Sequence, residues 1–175
     1  MNTTLQGFRW IGENRYREVV GAGLGELPAG TVIEHRPKRT VTELDHAMTL
    51  ALTGNPAPVH SDAEYCRTTG PGQPLVCGIV TLGIVIGMTV RATSGLTSAN
   101  LALDKVRFTA PVFVGDTLSA TTEILHSRPS ASRPGNGIVT CRITGHNQRG
   151  EQVLTAERTF FVPADAQPLR DATDY

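Results

Sequence analysis

Apolar positions along this chain change their period near Asn100: helix-like spacing precedes it, and simple alternation follows. Apolar and polar residues alternate from Leu101 to Phe108, Asp116 to Leu125, Gly137 to His146 and Gln152 to Val162, which predicts four strands. Asn147-Gln148-Arg149-Gly150 has the composition of a hairpin turn joining the last two. The run 128–135, Arg-Pro-Ser-Ala-Ser-Arg-Pro-Gly, reads as a long loop between two earlier ones. In the last strand Leu154, Ala156, Phe160 and Val162 fall on one face, and Arg158 interrupts them.

Upstream of Asn100 the pattern is helical. Thr42 is a candidate N-cap, with Glu43 and Asp45 placing negative charge in a first turn. Leu44, Met48, Ala51 and Leu52 follow at i, i+4, i+7 and i+8, the spacing of a buried stripe, and Pro56 stops the helix. Ser61-Asp62 marks a second helix start, and Gly70 to Pro74 reads as a turn. Leu75 to Arg91 is apolar nearly all round, the mark of a helix buried on most sides. Gly83 and Gly87 lie one turn apart within it. Glycine costs about 1 kcal/mol per helical position against alanine, so their presence implies close approach of another backbone. A sheet wrapped around this helix is the natural inference. Thr31 to Thr40 is strand-like, with Pro37 pointing to an edge or bulge. Met1 to Gly30 reads as irregular, and the residues after Pro163 as a loose tail. Helices first and an antiparallel meander afterwards define an α+β class, in one domain over 1–175 with its core at about 21–163.

Composition narrows the function. Sixteen basic residues balance sixteen acidic ones, so nothing supports broad nucleic-acid binding. Leu75 to Val90 is broken by Gly78, Thr81, Gly83, Gly87 and Thr89, which argues against a membrane span. Met1 to Trp10 lacks the basic head and apolar core of a signal peptide, so a soluble, cytoplasmic protein is expected. Cys66, Cys77 and Cys141 lack the paired spacing of a zinc site and read as buried free thiols, with no metal expected. Gly21-Ala22-Gly23-Leu24-Gly25-Glu26 superficially matches a dinucleotide loop. Its third glycine position holds Glu26, however, and no strand-turn-helix context surrounds it, so no redox cofactor is expected.

The candidate chemistry lies in 53–62, Thr-Gly-Asn-Pro-Ala-Pro-Val-His-Ser-Asp. Pro56 and Pro58 hold an extended loop between two helices, and that loop ends in His60. A restrained imidazole is the right group for acid–base work, because it titrates near neutrality, at about 6.5 when unperturbed.

Three segments together resemble the MaoC-like dehydratases, which include the (R)-specific enoyl-CoA hydratases. They are 39–45 (Arg-Thr-Val-Thr-Glu-Leu-Asp), the loop Thr53 to His60, and 74–78 (Pro-Leu-Val-Cys-Gly). The resemblance covers roughly Gly21 to Val162. Thr53-Gly54-Asn55 with Pro58-Val59-His60, and Ser132-Arg133-Pro134 before Gly137, are most similar to the mesaconyl-CoA hydratase branch. The resemblance implies a hot-dog fold, an antiparallel sheet around a central helix, assembled as a homodimer with the acyl tunnel between subunits. It implies addition or removal of water across the α,β double bond of an acyl thioester. Coenzyme A or an acyl carrier enters only as part of the substrate.

The family motif is an aspartate, four residues, then a histidine; here the histidine is His60 and the aspartate position holds Asn55. The motif's inner asparagine position holds Ala57. An amide orients water or a thioester but accepts no proton at neutral pH, so His60 would carry the proton transfers alone or with an unidentified partner. The backbone N–H of Gly78, at the start of the central helix, is the candidate enolate donor; close packing is the other reason for a glycine there. Asn55 equally fits a helix terminator, and Asp62 an N-cap. Val59 and Cys77 flank the site as candidate substrate contacts. Arg128 and Arg133, with Lys105 and Arg107 as alternatives, are candidates for carrier phosphates, or else solvated surface charge. Two other functions stay open: a hot-dog thioesterase, although Leu75 to Val90 holds no carboxylate to activate water, and a non-catalytic acyl-binding subunit. A pathway dehydratase acting on carrier-bound acyl groups is a further variant.

Overall fold

The computed structural model describes residues 7–175, so the expectations for Met1 to Gln6 lie outside the described residues. A hairpin of β1 (Phe8–Gly12) and β2 (Arg15–Glu18) comes first. Strands β3 (Val32–Glu34) and β4 (Arg39–Thr40) follow on either side of Pro37, then three helices, α1 (Glu43–Thr53), α2 (Pro58–Ser61) and α3 (Ala63–Thr69). The long helix α4 (Gly78–Val90) precedes four strands, β5 (Asn100–Phe108), β6 (Thr117–Pro129), β7 (Asn136–His146) and β8 (Gln152–Pro163), and α5 (Gln167–Thr173) ends the chain.

The sheet runs β3-β6-β7-β8-β5, antiparallel throughout, with β4 also pairing with β6. Alternation along β6, β7 and β8 points Leu118, Ala120, Ile124, Cys141, Ile143, Leu154 and Phe160 into one core with Val80, Ile84 and Val85 of α4. A helix lying on the concave face of an antiparallel sheet is the hot-dog arrangement. The meander, its 147–150 turn and the break at Pro37 match the sequence pattern closely.

Four expectations need correction. The stripe Leu44, Met48, Ala51 and Leu52 is not buried: Leu44 is 66% and Leu52 83% exposed, and His46 is the buried residue of α1. Periodicity locates a face on a helix but not what that face meets, and here no other element among the described residues covers it. Secondly, Gly83 and Gly87 do not admit the sheet, since a Cβ at either would meet nothing within 4 Å. The close helix–sheet approach is made from the strand side, at Gly145, where a Cβ would lie 2.8 Å from Val85 Cγ2. Thirdly, residues 8–18 are paired strands rather than irregular chain. Lastly, the tail after Pro163 is docked: the buried Arg170 of α5 donates to Gly21 O at 2.6 Å and to Glu26 at 3.2 Å. Arg9 and Arg17 of the hairpin pair with Asp171 and Asp174.

The glycine run at 21–25 acquires its own explanation. Gly21, at φ +70°, lies against the backbone of Gly95 and Leu96, and Gly23 against that of Ala166. The run lets chain segments cross.

Buried polar groups in this sheet make a pH-dependent prediction. His35 is buried and meets Thr122 Oγ1 at 2.8 Å, and burial lowers its pKa below the ordinary 6.5. The folded state therefore disfavours a proton that the unfolded chain accepts. The stability His35 contributes is complete above about pH 6.5 and declines as pH falls through that value toward the lower folded pKa. Thermal melting at pH 7 and pH 5 should show this loss, and His35→Gln should shrink it. An unchanged pH dependence in the variant would contradict the assignment.

Candidate active site

His60 stands on α2, a single turn started by Pro58 at its first position, rather than at the end of an extended loop. Five residues upstream of His60, Asn55 begins the approach. Helix α1 stops at Gly54 in the left-handed conformation, φ 60°, so Gly54 rather than Pro56 ends it. Asn55 Oδ1 accepts from Ala57 N at 3.1 Å, closing the turn that leads into α2. Its Nδ2 faces Cys77 Sγ at 3.8 Å. Asp62 caps α3 by accepting from Tyr65 N at 2.9 Å, in agreement with the sequence reading of that residue.

The segment before α4 fastens His60. Leu75 N donates to Val59 O at 3.0 Å, and His60 Nδ1 lies 2.8 Å from Leu75 O. A carbonyl only accepts, so the proton of the neutral ring sits on Nδ1 and the Nε2 lone pair is left for chemistry. His60, Leu75, Gly78, Thr81, Phe108 and Val153 line a cavity of about 490 Å³. Thus the imidazole and the first residue of α4 face one space.

Gly78 opens α4 behind Cys77, whose side chain makes no capping bond. The first N–H groups of a helix have no intrahelical partner, and the dipole there favours negative charge. Close packing also acts at this glycine: a Cβ would lie 2.8 Å from Phe108 Cζ, so any larger residue displaces that ring. Cys77 is buried and Val59 half-buried, each beside a cavity-lining neighbour.

The four cations fall differently. Arg133 lies over the Phe161 ring, 4.7 Å from its centroid, and Arg128 is paired with Ile138, itself paired with Phe161. Val153, on the cavity wall, is eight residues from Phe161 along β8, or about 26 Å at strand rise. Within one chain, Arg128 and Arg133 are not brought to His60. Lys105 pairs with Glu157 at 2.9 Å. Arg107 precedes Phe108 at the cavity and makes no ion pair with the described residues.

The three cysteines are free and buried, and burial pushes the Cys141 thiol up to about 11. Cys141 is thereby held as a protonated packing group rather than a nucleophile. Among the described residues no cluster of His, Cys, Asp and Glu suits a metal, and no helix is long and apolar enough to cross a membrane.

Sequence reasoning missed His46. Its Nε2 lies 2.7 Å from the carbonyl of His60, and the two rings are 6.5 Å apart. Only the inversion of the α1 stripe reveals it.

The fold and the site define a hot-dog domain with one restrained imidazole beside the open end of its central helix. Residues 26–147 match the model of the MaoC like domain. The chain is 33% identical over 133 residues to a mesaconyl-CoA hydratase of Cereibacter sphaeroides, covering 76% of this chain and 38% of that protein. A putative MaoC domain dehydratase of Chloroflexus aurantiacus superposes with a TM-score of 0.77 at 31% identity, over 82% of this chain and 40% of the other. A Mycobacterium tuberculosis protein described as a double hotdog fold superposes at 0.75 with 27% identity, over 83% and 45%. The chain belongs to the MaoC-like family. It spans well under half the length of the hydratase it matches.

Proposed function

We propose that this chain hydrates enoyl thioesters, or dehydrates their 3-hydroxy counterparts, with His60 as acid and base. The observation that carries the reading is the bond from His60 Nδ1 to Leu75 O, 2.8 Å, in a residue that lines the cavity: a carbonyl only accepts, so Nδ1 carries the proton and Nε2 is left as the base. In the hydration direction, Nε2 takes a proton from water as its oxygen bonds to Cβ. The electron pair of the double bond moves through Cα onto the thioester oxygen, where the N–H of Gly78 and the dipole of α4 stabilise the enolate. The enolate then reforms its carbonyl as Nε2–H returns the proton to Cα. One proton is taken and one given, so no metal or redox group is needed. Asn55 acts by shape: its Oδ1 is engaged by Ala57 N, leaving Nδ2 as a donor. Arg107 is the cation best placed for a carrier phosphate.

The assembly we propose is a homodimer through the β5 edge and the outer face of α4. Gly83 faces open space on a helix that also exposes Ile79 at 58%, and Leu101 of β5 is 45% exposed. Apolar surface left uncovered by the described residues fits close approach by a second copy. The hydratase names among the relatives support the activity, and the acyl group belongs to those proteins rather than to this chain.

The reading is tested by the enoyl-thioester absorbance band with crotonyl-CoA, mesaconyl-CoA and a longer enoyl-CoA. Loss of the band without release of thiol is expected for at least one of them. Thiol release would make the protein a thioesterase, and a persistent band with all three would contradict the activity.

A further inference from the structure

Helix α1 presents Leu44, Met48 and Leu52 to solvent and buries a histidine instead. Burying an imidazole in place of a leucine is unfavourable unless its polar atoms are used. His46 uses one of them: Nε2 is 2.7 Å from His60 O, and since that carbonyl cannot donate, the proton is on Nε2. The other nitrogen, Nδ1, is buried without a hydrogen-bond partner. The side chain is thus held in place for a single bond, and that bond ends on the peptide of the candidate base.

We infer that His46 is a positioning residue for His60, an inference that rests on the hydratase reading above. Helix α2 has four residues and no side-chain cap, far too little to hold its own geometry. It is fixed from two sides. On one side the 75 segment supplies Leu75 N to Val59 O and accepts His60 Nδ1–H on Leu75 O. On the other, α1 supplies His46 Nε2–H to His60 O. The imidazole ring and the carbonyl of one residue are therefore bonded to different elements, which sets both the peptide plane and the ring direction. A second cavity of about 270 Å³, lined by Glu43, His46, His60, Ser61 and Gln73, lies on this side of α2. Because that side is not solidly packed, the turn depends on the hydrogen bond rather than on neighbouring bulk.

The bond can be separated from the volume. His46→Leu removes the donor and keeps an apolar side chain of similar bulk; His46→Gln returns a donor at nearly the same reach. For His46→Leu, kcat should fall about 10- to 100-fold with KM within about twofold, as for displaced catalytic geometry. His46→Gln should recover kcat to within a few-fold. Equal impairment of the two variants would mean that His46 only fills space, and unchanged kcat in His46→Leu would also overturn the inference.

A second readout does not need turnover. Nitrogen NMR of the imidazole rings in the unmodified protein should show the Nε2–H tautomer for His46 and the Nδ1–H tautomer for His60. In His46→Leu the His60 signals should spread toward a mixture. The opposite tautomers in the unmodified protein would overturn the inference even if the Leu variant fails to fold. If no thioester is turned over but the tautomers are as expected, the hydratase reading fails and the hydrogen bond stands.

Discussion

Replacing His60 with alanine should lower kcat for enoyl-thioester hydration by on the order of a thousandfold, with KM changed by a few-fold at most. The magnitude follows from the absence of a second base at the cavity. In the family motif a carboxylate stands where this chain has Asn55, whose Oδ1 already accepts from Ala57 N. His60 therefore both removes the proton from water and returns it to Cα, and nothing else lining the cavity can replace it. Such a loss is about 4 kcal/mol of barrier. KM should be spared, because truncating the imidazole removes the proton-transfer group and leaves the rest of the cavity lining in place. Single-turnover and steady-state kinetics on the same protein separate the two effects. If His60→Ala kept kcat within tenfold, the proton-transfer role would be wrong even with the fold intact.

Gly21→Ala should cost roughly 3 kcal/mol or more, combining the penalty of a left-handed backbone with that of overpacking. At φ +70° an added Cβ would lie 2.5 Å from Leu96 N and 3.0 Å from Gly95 C. Those are backbone atoms, which cannot step aside as a flexible side chain does. Gly95 has the reciprocal constraint, with a Cβ 2.8 Å from Gly21 N. The crossing also carries Gly21 O, the acceptor for Arg170 of α5, so separation of the segments would loosen the C-terminal helix. For a chain of this size the melting temperature should drop by roughly 10 °C. Gly25→Ala, where a Cβ meets nothing within 4 Å, is the matched control and should melt within a few degrees of the unmodified protein. Equal melting of the two variants would remove the crossing from the explanation.

The legible parts of the fold were those where one face of an element alternates against a core. Strands β6 to β8, with the turn at 147–150, follow from period two, because a one-residue slip would turn every core residue to solvent. Helix α1 was legible as an element through Thr42 and Asp45, which form the reciprocal cap seen in the structure. Its orientation was not. Leu44, Met48 and Leu52 define a face that no other element among the described residues covers, and a pattern cannot say so. The same holds for Gly83 and Gly87: the expected approach of the sheet to these two glycines is not made, and a Cβ at either would meet nothing within 4 Å. His60 and Gly78 were readable through motifs and do share one cavity. Arg128 and Arg133 read as phosphate contacts from their guanidinium geometry and their place in a loop between strands. Whether a guanidinium reaches a site depends on which end of β8 it stands over, and that is set by register. His46 left no local trace, because its partner is a backbone carbonyl fourteen residues away.

The most direct measurement is turnover in heavy-oxygen water, followed by mass analysis of the thioester product with the unmodified protein. Water addition at Cβ places one heavy oxygen in the acyl chain as a 3-hydroxyl group, with the thioester intact and the label absent in His60→Ala. Label found instead in a released carboxylate would show attack on the thioester carbon, and an unlabelled, unchanged substrate would show no addition at all. Either outcome would contradict hydration by His60.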